Sequence, residues 1–287
     1  MPGTVLSPGD TLSDLVVEGI LGTGGMSIVY KVRDPRTKMP YAAKVLDPHL
    51  MCERDFVKRF KTEAKTAAKL THMNIVHALK LSGWEGTLYY IMELVEGGPL
   101  DETLTTQGAF PMERALVIVR DVAAGLEYAH SMRYVHRDVK PGNILVRPDD
   151  HVKLIDFGLA QKFGRVIRTR SGHVMGTAKY MAPELIEGTE AWPQTDIYAL
   201  GCLTYELLAG RPPFDGDDAD LLMDMHLYSR HRPLTEVVKG ADWNLSHLID
   251  RMLAKDMSQR VSSAQAIHGW LDFYAANGWF ANVPKGF

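Results

Sequence analysis

The sequence predicts an α+β protein in two lobes, a small antiparallel sheet carrying one helix and then a larger, mainly helical lobe. Three observations lead there. Between residues 15 and 95 the runs VVEGILG, SIVYKVRD, YAAKVLD, IVHALKL and TLYYIMELV are short and rich in Val, Ile, Tyr and Leu. Gly, Pro and Asp bound them, as they bound strands. One stretch among them, 53–70 (ERDFVKRFKTEAKTAAKL), sets Phe56, Phe60, Ala64, Ala67 and Ala68 on one helical face and charges on the other. After GGP at 97–99 the pattern turns helical, through ERALVIVRDVAAGLEYAHSM, DIYALGCLTYELLAG, LSHLIDRMLAKD and SSAQAIHGWLDFYA. The expected division is a loose leader at 1–14, a first lobe at 15–95, a second at 96–275 and a tail at 276–287.

Composition narrows the function. The 287 residues are 46% hydrophobic and 23% charged, as in ordinary globular proteins. Lys plus Arg number 32 against 35 Asp plus Glu, a net charge of -3, so there is no overall basic surface to neutralise the phosphates of a nucleic acid. Cys52 and Cys202 make no disulfide framework, which suits a reducing compartment. The chain has no uncharged apolar run of membrane-spanning length, and MPGTVLSPGD has neither a basic nor an apolar signal region. The eleven His show no zinc-type spacing beside Cys. The expectation is a cytoplasmic protein without a membrane span or a nucleic-acid partner.

The chemistry gathers in a few motifs. GTGGMSIV (22–29) lies between two strand-like runs, and Gly22 and Gly24 let backbone N–H groups approach phosphate oxygens. No Gly-Lys-Ser/Thr follows, so it is not a Walker loop. A strand follows where a Rossmann turn would have a helix. Lys44 lies in the strand YAAKVL, and Glu63 of the helix at 53–70 could pair with it. HRDVKPGN (136–143) supplies Asp138, Lys140 and Asn143, and IDFG (155–158) supplies Asp156. Singly, each has a plain structural explanation: a tight hairpin, a core histidine at His136, a turn aspartate. As an ordered set they collect what phosphoryl transfer needs. Two oxygen or amide ligands hold Mg2+, one carboxylate orients a hydroxyl and one ammonium neutralises the moving phosphate.

In this order the motifs resemble those of the eukaryotic-type (Hanks-type) Ser/Thr protein kinases over roughly residues 15 to 275, and GGM and RFKTEA resemble the bacterial branch. The resemblance implies the bilobal kinase fold, ATP as phosphate donor, Mg2+ (with Mn2+ as an alternative) and protein substrates. Gly22, Thr23, Gly24, Gly25, Met26, Ser27 and Val29 then belong to the loop over ATP. Lys44 holds the α- and β-phosphates with Glu63 as its partner, Asp138 is the catalytic-loop carboxylate, Lys140 meets the γ-phosphate, and Asn143 and Asp156 bind the metal. Adenine falls between Leu21, Val29 and Ala42 on one side and Leu145 on the other, with Met92 as gatekeeper and the backbone of Glu93 and Val95 as hinge. Glu184 of APE pairs with Arg260, and Asp196 steadies the catalytic loop.

Lys140, two residues after Asp138, is the family's Ser/Thr pattern, and Thr177 of GTAKY is expected to bridge Asp138 and Lys140. Between Gly158 and Pro183 there is no acid, while Lys162, Arg165, Arg168 and Arg170 surround Thr169 and Ser171. By the resemblance these two hydroxyls sit at the offsets of activating phosphosites. A phosphate there would pair with Arg137, unless the loop is simply a solvated basic segment. Autophosphorylation in trans would bring two copies together transiently. DGDDAD (215–220) either complements the dipole of the helix after it or forms a docking patch for basic substrates. Three positions depart from the family. Ser27 replaces the third loop glycine, Pro99 stands where basophilic members carry an acid, and Val261 follows Arg260 in place of Pro. Two rival functions remain: a pseudokinase that binds without transfer, disfavoured by the intact Lys44, Asp138, Asn143 and Asp156, and a small-molecule phosphotransferase, disfavoured by GTAKYMAPE.

Overall fold

A computed structural model describes residues 5–157, 161–162 and 178–276. The chain divides into two compact units. One holds residues 1–96 together with Asp156, and the other begins at Gly97.

The first unit is a six-stranded antiparallel sheet in the order β1-β2-β3-β4-β6-β5, from β1 (Thr11–Leu12), β2 (Leu15–Thr23), β3 (Ser27–Arg33), β4 (Pro40–Leu46), β5 (Ala78–Trp84) and β6 (Thr87–Glu93). Period-two alternation gives it two apolar faces. Leu12, Val17, Tyr30, Val32, Val45, Tyr89 and Ile91 fill one. On the other, helix α1 (Arg54–Ala67) lays Phe60, Ala64 and Ala67 against Leu46, Ala78 and Tyr90. Tyr89 and Tyr90 are chain neighbours and so point to opposite faces, each buried in its own layer.

Three boundaries differ from the sequence reading. The expected leader contributes β1, paired to β2, because Leu12 is fully buried in the sheet core. The helix ends at Ala67 rather than Leu70, and Ala68 is its exposed C-cap. The run IVHALKL becomes a strand only from Ala78, since Ile75 and Val76 lie buried before it.

The second unit is built on α3 (Met112–Ser131), preceded by β7 (Gly98–Pro99) and α2 (Leu100–Gln107). After it come β8 (Tyr134–Val135), β9 (Ile144–Val146), β10 (Val152–Leu154) and β11 (Gln161–Lys162). Among the described residues the helices α4 (Pro183–Ile186), α5 (Pro193–Ala209), α6 (Ala219–Tyr228), α7 (Leu234–Val237), α8 (Trp243–Met252) and α9 (Ala264–Ala276) follow. Helix α5 is buried almost all round, as its near-continuous apolar run requires. Gly201 lets it approach α8, since a Cβ there would stand 2.9 Å from Met252. Between α3 and α5 runs the short β8, and its exit delivers the HRDVKPGN loop.

Candidate active site

In the first unit the β2–β3 hairpin turns through 24–26, closed by the Gly24 N–H donating to the Ser27 carbonyl at 2.9 Å. A Cβ at Gly22 or Gly25 would meet no atom of the chain within 4 Å, so packing does not demand these glycines. They leave backbone accessible for an outside group. Leu21 and Thr23 are exposed, Met26 and Val29 half-buried, and Ser27 buried. Ala42 is buried opposite Met92 in the β4–β6 register. Glu93 and Val95 are half-buried, and the Glu93 N–H donates to His77 O at 3.1 Å.

Strand β4 carries Lys44 into this unit's interior, 9% exposed. Its Nζ lies 2.5 Å from Glu63 Oε1 and 3.6 Å from Asp156 Oδ2. Two carboxylates share one ammonium. Burial works against the Lys44 charge, but the two carboxylates outweigh it and hold its pKa above the usual lysine value. Burial and the Asp156 carboxylate push Glu63 up, while Lys44 and Tyr90 pull it back. Tyr90 is a site residue that sequence reasoning missed: its hydroxyl donates to Glu63 Oε1 at 2.6 Å. The doubled Tyr in TLYYIMELV was its only trace, since one of two adjacent tyrosines must face α1. Asp156 sits at φ 63, a left-handed conformation that is costly for a residue with a Cβ.

In the second unit β8 leads into the loop and a 3-10 turn, Pro141–Asn143, leads out into β9. Asp138 is gripped from two sides. Lys140 Nζ lies 2.8 Å from its Oδ2, and Asn143 Nδ2 donates to the same oxygen and to the Asp138 carbonyl, both at 2.8 Å. His136 is fully buried with Nε2 3.0 Å from Ile155 O, and the Ile155 N–H donates to Asn143 O at 3.0 Å. This fixes the loop against the residue before Asp156. Leu145 is half-buried beside them in β9.

Asp196, in the first turn of α5, is fully buried and organises the loop from inside. Its carboxylate accepts from the backbone N–H groups of His136 at 2.8 Å and Arg137 at 2.7 Å, and lies 2.8 Å from His130 Nε2. Burial alone would raise its pKa. The His130 bond and neighbouring positive charge more than offset this and hold it low. His130 is the second residue missed, 66 positions away in sequence with no local pattern to tie it to Asp196. Arg137 is 8% exposed at φ 70, and burial pushes its guanidinium below the usual range against a partial offset from Asp196. Glu184 and Arg260 form a bidentate pair at 2.7 Å twice. Gly158, Thr169, Ser171 and Thr177 lie outside the described residues.

Asp156 in the first unit offers carboxylate oxygens and Asn143 in the second an amide oxygen, each a hard donor of the kind that divalent ions such as Mg2+ take.

The profile of the protein kinase domain matches residues 15–271. The serine/threonine-protein kinase PknA of Mycobacterium tuberculosis is 37% identical over 252 residues, covering 86% of this chain and 58% of its own length. The serine/threonine-protein kinase PknL of the same species is 36% identical over 264 residues, covering 92% of this chain and 66% of that protein. A probable serine/threonine-protein kinase of Clostridium perfringens is 36% identical over 252 residues, covering 88% of this chain and 37% of that protein. The chain thus spans under two thirds of the length of these curated relatives. Among the described residues no helix is long and apolar enough to cross a membrane.

Proposed function

The chain belongs to the protein kinase family, and from that premise we propose that it is an active Ser/Thr protein kinase, transferring the ATP γ-phosphate to Ser or Thr hydroxyls of protein substrates. The Lys44–Glu63–Asp156 set handles the nucleotide: Lys44 takes the α- and β-phosphates, Glu63 and Tyr90 hold the lysine in place, and Asp156 is a metal ligand. The loop from Gly22 to Val29 covers the phosphates with backbone N–H groups. Asp138 orients the acceptor hydroxyl, Lys140 neutralises the γ-phosphate and Asn143 is the other metal ligand. When bound, Mg2+ neutralises phosphate charge and holds the phosphoryl group in line. Leu21, Val29, Ala42, Met92, Glu93, Val95 and Leu145 are assigned to the adenine. Cytoplasmic location, activation through Thr169 and Ser171, and pairing of copies for that step belong to the same reading.

One observation carries it above all. Asp138 is held by Lys140 and Asn143 at 2.8 Å each, on a loop that Asp196 fixes through two backbone N–H groups. That is an arrangement for keeping a carboxylate and an ammonium in register, as positioning catalysis requires. The test is incubation with Mg-ATP and a generic acceptor protein, reading phosphoserine and phosphothreonine by mass spectrometry beside an Asp138→Asn variant. Transfer by the wild type and its loss in the variant support the reading. Nucleotide binding with no transfer by either would make the chain a binding module.

A further inference from the structure

Helix α1 carries a row of cations that its own fold does not use. Arg54, Lys58, Lys61 and Lys65 follow at spacings of four, three and four residues, which aligns them on one face over about 16 Å. All four are exposed, and with Val57 and Thr62 they line an open groove of about 320 Å³. Among the described residues none of the four meets a carboxylate, and the residues outside that set contain no Asp or Glu. No acidic side chain is therefore paired with the row. It also works against the helix, because like charges at i,i+4 repel and cations near the N-terminus oppose the dipole. The chain as a whole is at -3, so the row is not a by-product of general basicity.

A face of opposite sign lies in the second unit. Asp217, Asp220 and Asp224 are exposed at the start and along the outside of α6, and among the described residues none of them forms an ion pair. Asp215 differs, being bound to Lys179 at 2.7 Å. Asp220 and Asp224 repeat the i,i+4 spacing of Lys61 and Lys65. On the same helix Leu221 is 53% and Tyr228 79% exposed, apolar groups of a kind that lysine stems and a half-buried Val57 can cover.

We propose that α1 of one copy docks onto the α6 face of a second copy, its cations against Asp217, Asp220 and Asp224. This names the surfaces for the pairing of copies put forward above, and rests on that reading only for its purpose. Two such contacts close a two-fold pair, α1 of each copy on α6 of the other, whereas a single contact is head-to-tail and leaves one surface of each kind open to a further copy. Exposed ion pairs are weak and screened by salt, so the association is transient and strongest at low ionic strength.

Sedimentation velocity on the nucleotide-free protein tests this, at low salt (about 0.02 M) and high salt (about 0.5 M), where screening lengths differ severalfold. The average sedimentation coefficient should rise with concentration at low salt only. Lys61→Glu/Lys65→Glu and Asp220→Lys/Asp224→Lys should each stay monomeric alone, since the first leaves the α1 row without net charge and the second turns the α6 face net positive. Mixed in equal amounts they should associate again, because the intact α1 row of one variant meets the intact Asp face of the other. Unchanged melting temperatures exclude misfolding. If either pair fails to fold, Lys61→Gln/Lys65→Gln and Asp220→Asn/Asp224→Asn, each weakening association, serve instead. A wild type that stays monomeric at low salt, charge variants that associate as it does, or a mixture that stays monomeric would overturn the proposal. So would a monomeric wild type whose α1 row binds a poly-glutamate peptide. A parallel transfer assay keeps the two readings apart: transfer without association removes these surfaces and leaves the kinase, while association without transfer does the reverse.

Discussion

Arg260 holds Glu184 in a bidentate grip, two nitrogens on two oxygens at 2.7 Å each, with the guanidinium side chain fully buried. The remaining N–H groups of Arg260 donate to the carbonyls of Ala254, Gln194 and Lys255. A satisfied buried pair of this kind contributes little beyond an apolar substitute, but losing one partner strands the other charge. Arg260→Ala is expected to cost roughly 3–5 kcal/mol of stability, read as a lower urea midpoint or poor expression. A variant of normal stability would show that the carboxylate finds water or another cation.

Lys44 and Tyr90 act on the same carboxylate with different consequences. Lys44→Met removes the ammonium assigned to the phosphates, and transfer should fall by about 10²-fold or more. Asp156→Asn should do the same through the metal. Tyr90→Phe removes only a donor to the buried Glu63, and should cost about 1–3 kcal/mol of stability with a much smaller loss of rate. Measured kcat and melting temperature separate these outcomes. Transfer by Lys44→Met within tenfold of wild type would remove the lysine from the phosphate role.

Much of this was legible in the sequence because the site is made of short motifs on strongly patterned elements. Lys44 and Glu63 could be paired on paper, since one strand and one amphipathic helix bring them together. The order Asp138, Lys140, Asn143 is local to a single loop. What could not be read depended on three-dimensional closure. His130 meets Asp196 across 66 residues, and nothing in an amphipathic helix marks which polar residue will face another helix. The strand at Thr11–Leu12 was hidden by Pro, Gly and Ser around it, and only the burial of Leu12 explains it. Asp156 groups with the first unit although it lies far along the chain within 96–275, a placement no local pattern carries.

Activation should run through Thr169 and Ser171. Four cationic residues surround them in a stretch without acids, and Arg137 adjoins Asp138 in the catalytic loop. A phosphate brings about -1.5 to -2 of charge and acceptors for charge-assisted bonds, which orders a basic segment that would otherwise repel itself. Peptide mapping after incubation with Mg-ATP should find phosphate on one or both. The Thr169→Ala/Ser171→Ala double variant should be slow from its first turnover. Full initial activity in that variant would leave the segment constitutively active and its basic residues for another use.

His226 sets an acid limit on the second unit. It is fully buried, its Nδ1 2.8 Å from the Tyr198 hydroxyl and its ring edge-on to Phe214. Burial, with help from the Lys255 cation, pushes its pKa down to about 3. The unfolded chain, with histidine near 6.5, therefore binds a proton between pH 6.5 and 3 that the native protein does not. Stability from this group is complete above pH 6.5 and is lost as pH falls toward 3, a total of at most about 5 kcal/mol. Between pH 7 and 4.5 the expected loss is about 2–3 kcal/mol. His226→Phe should be less stable at pH 7, because the Tyr198 hydroxyl loses its acceptor and keeps only the donor Lys255 Nζ at 3.3 Å, yet fall less steeply over that interval. Asp196, held low in both proteins, cancels in the difference between them. Urea midpoints at the two pH values for both proteins give the comparison, and equal slopes would show that His226 takes up its proton without leaving the fold.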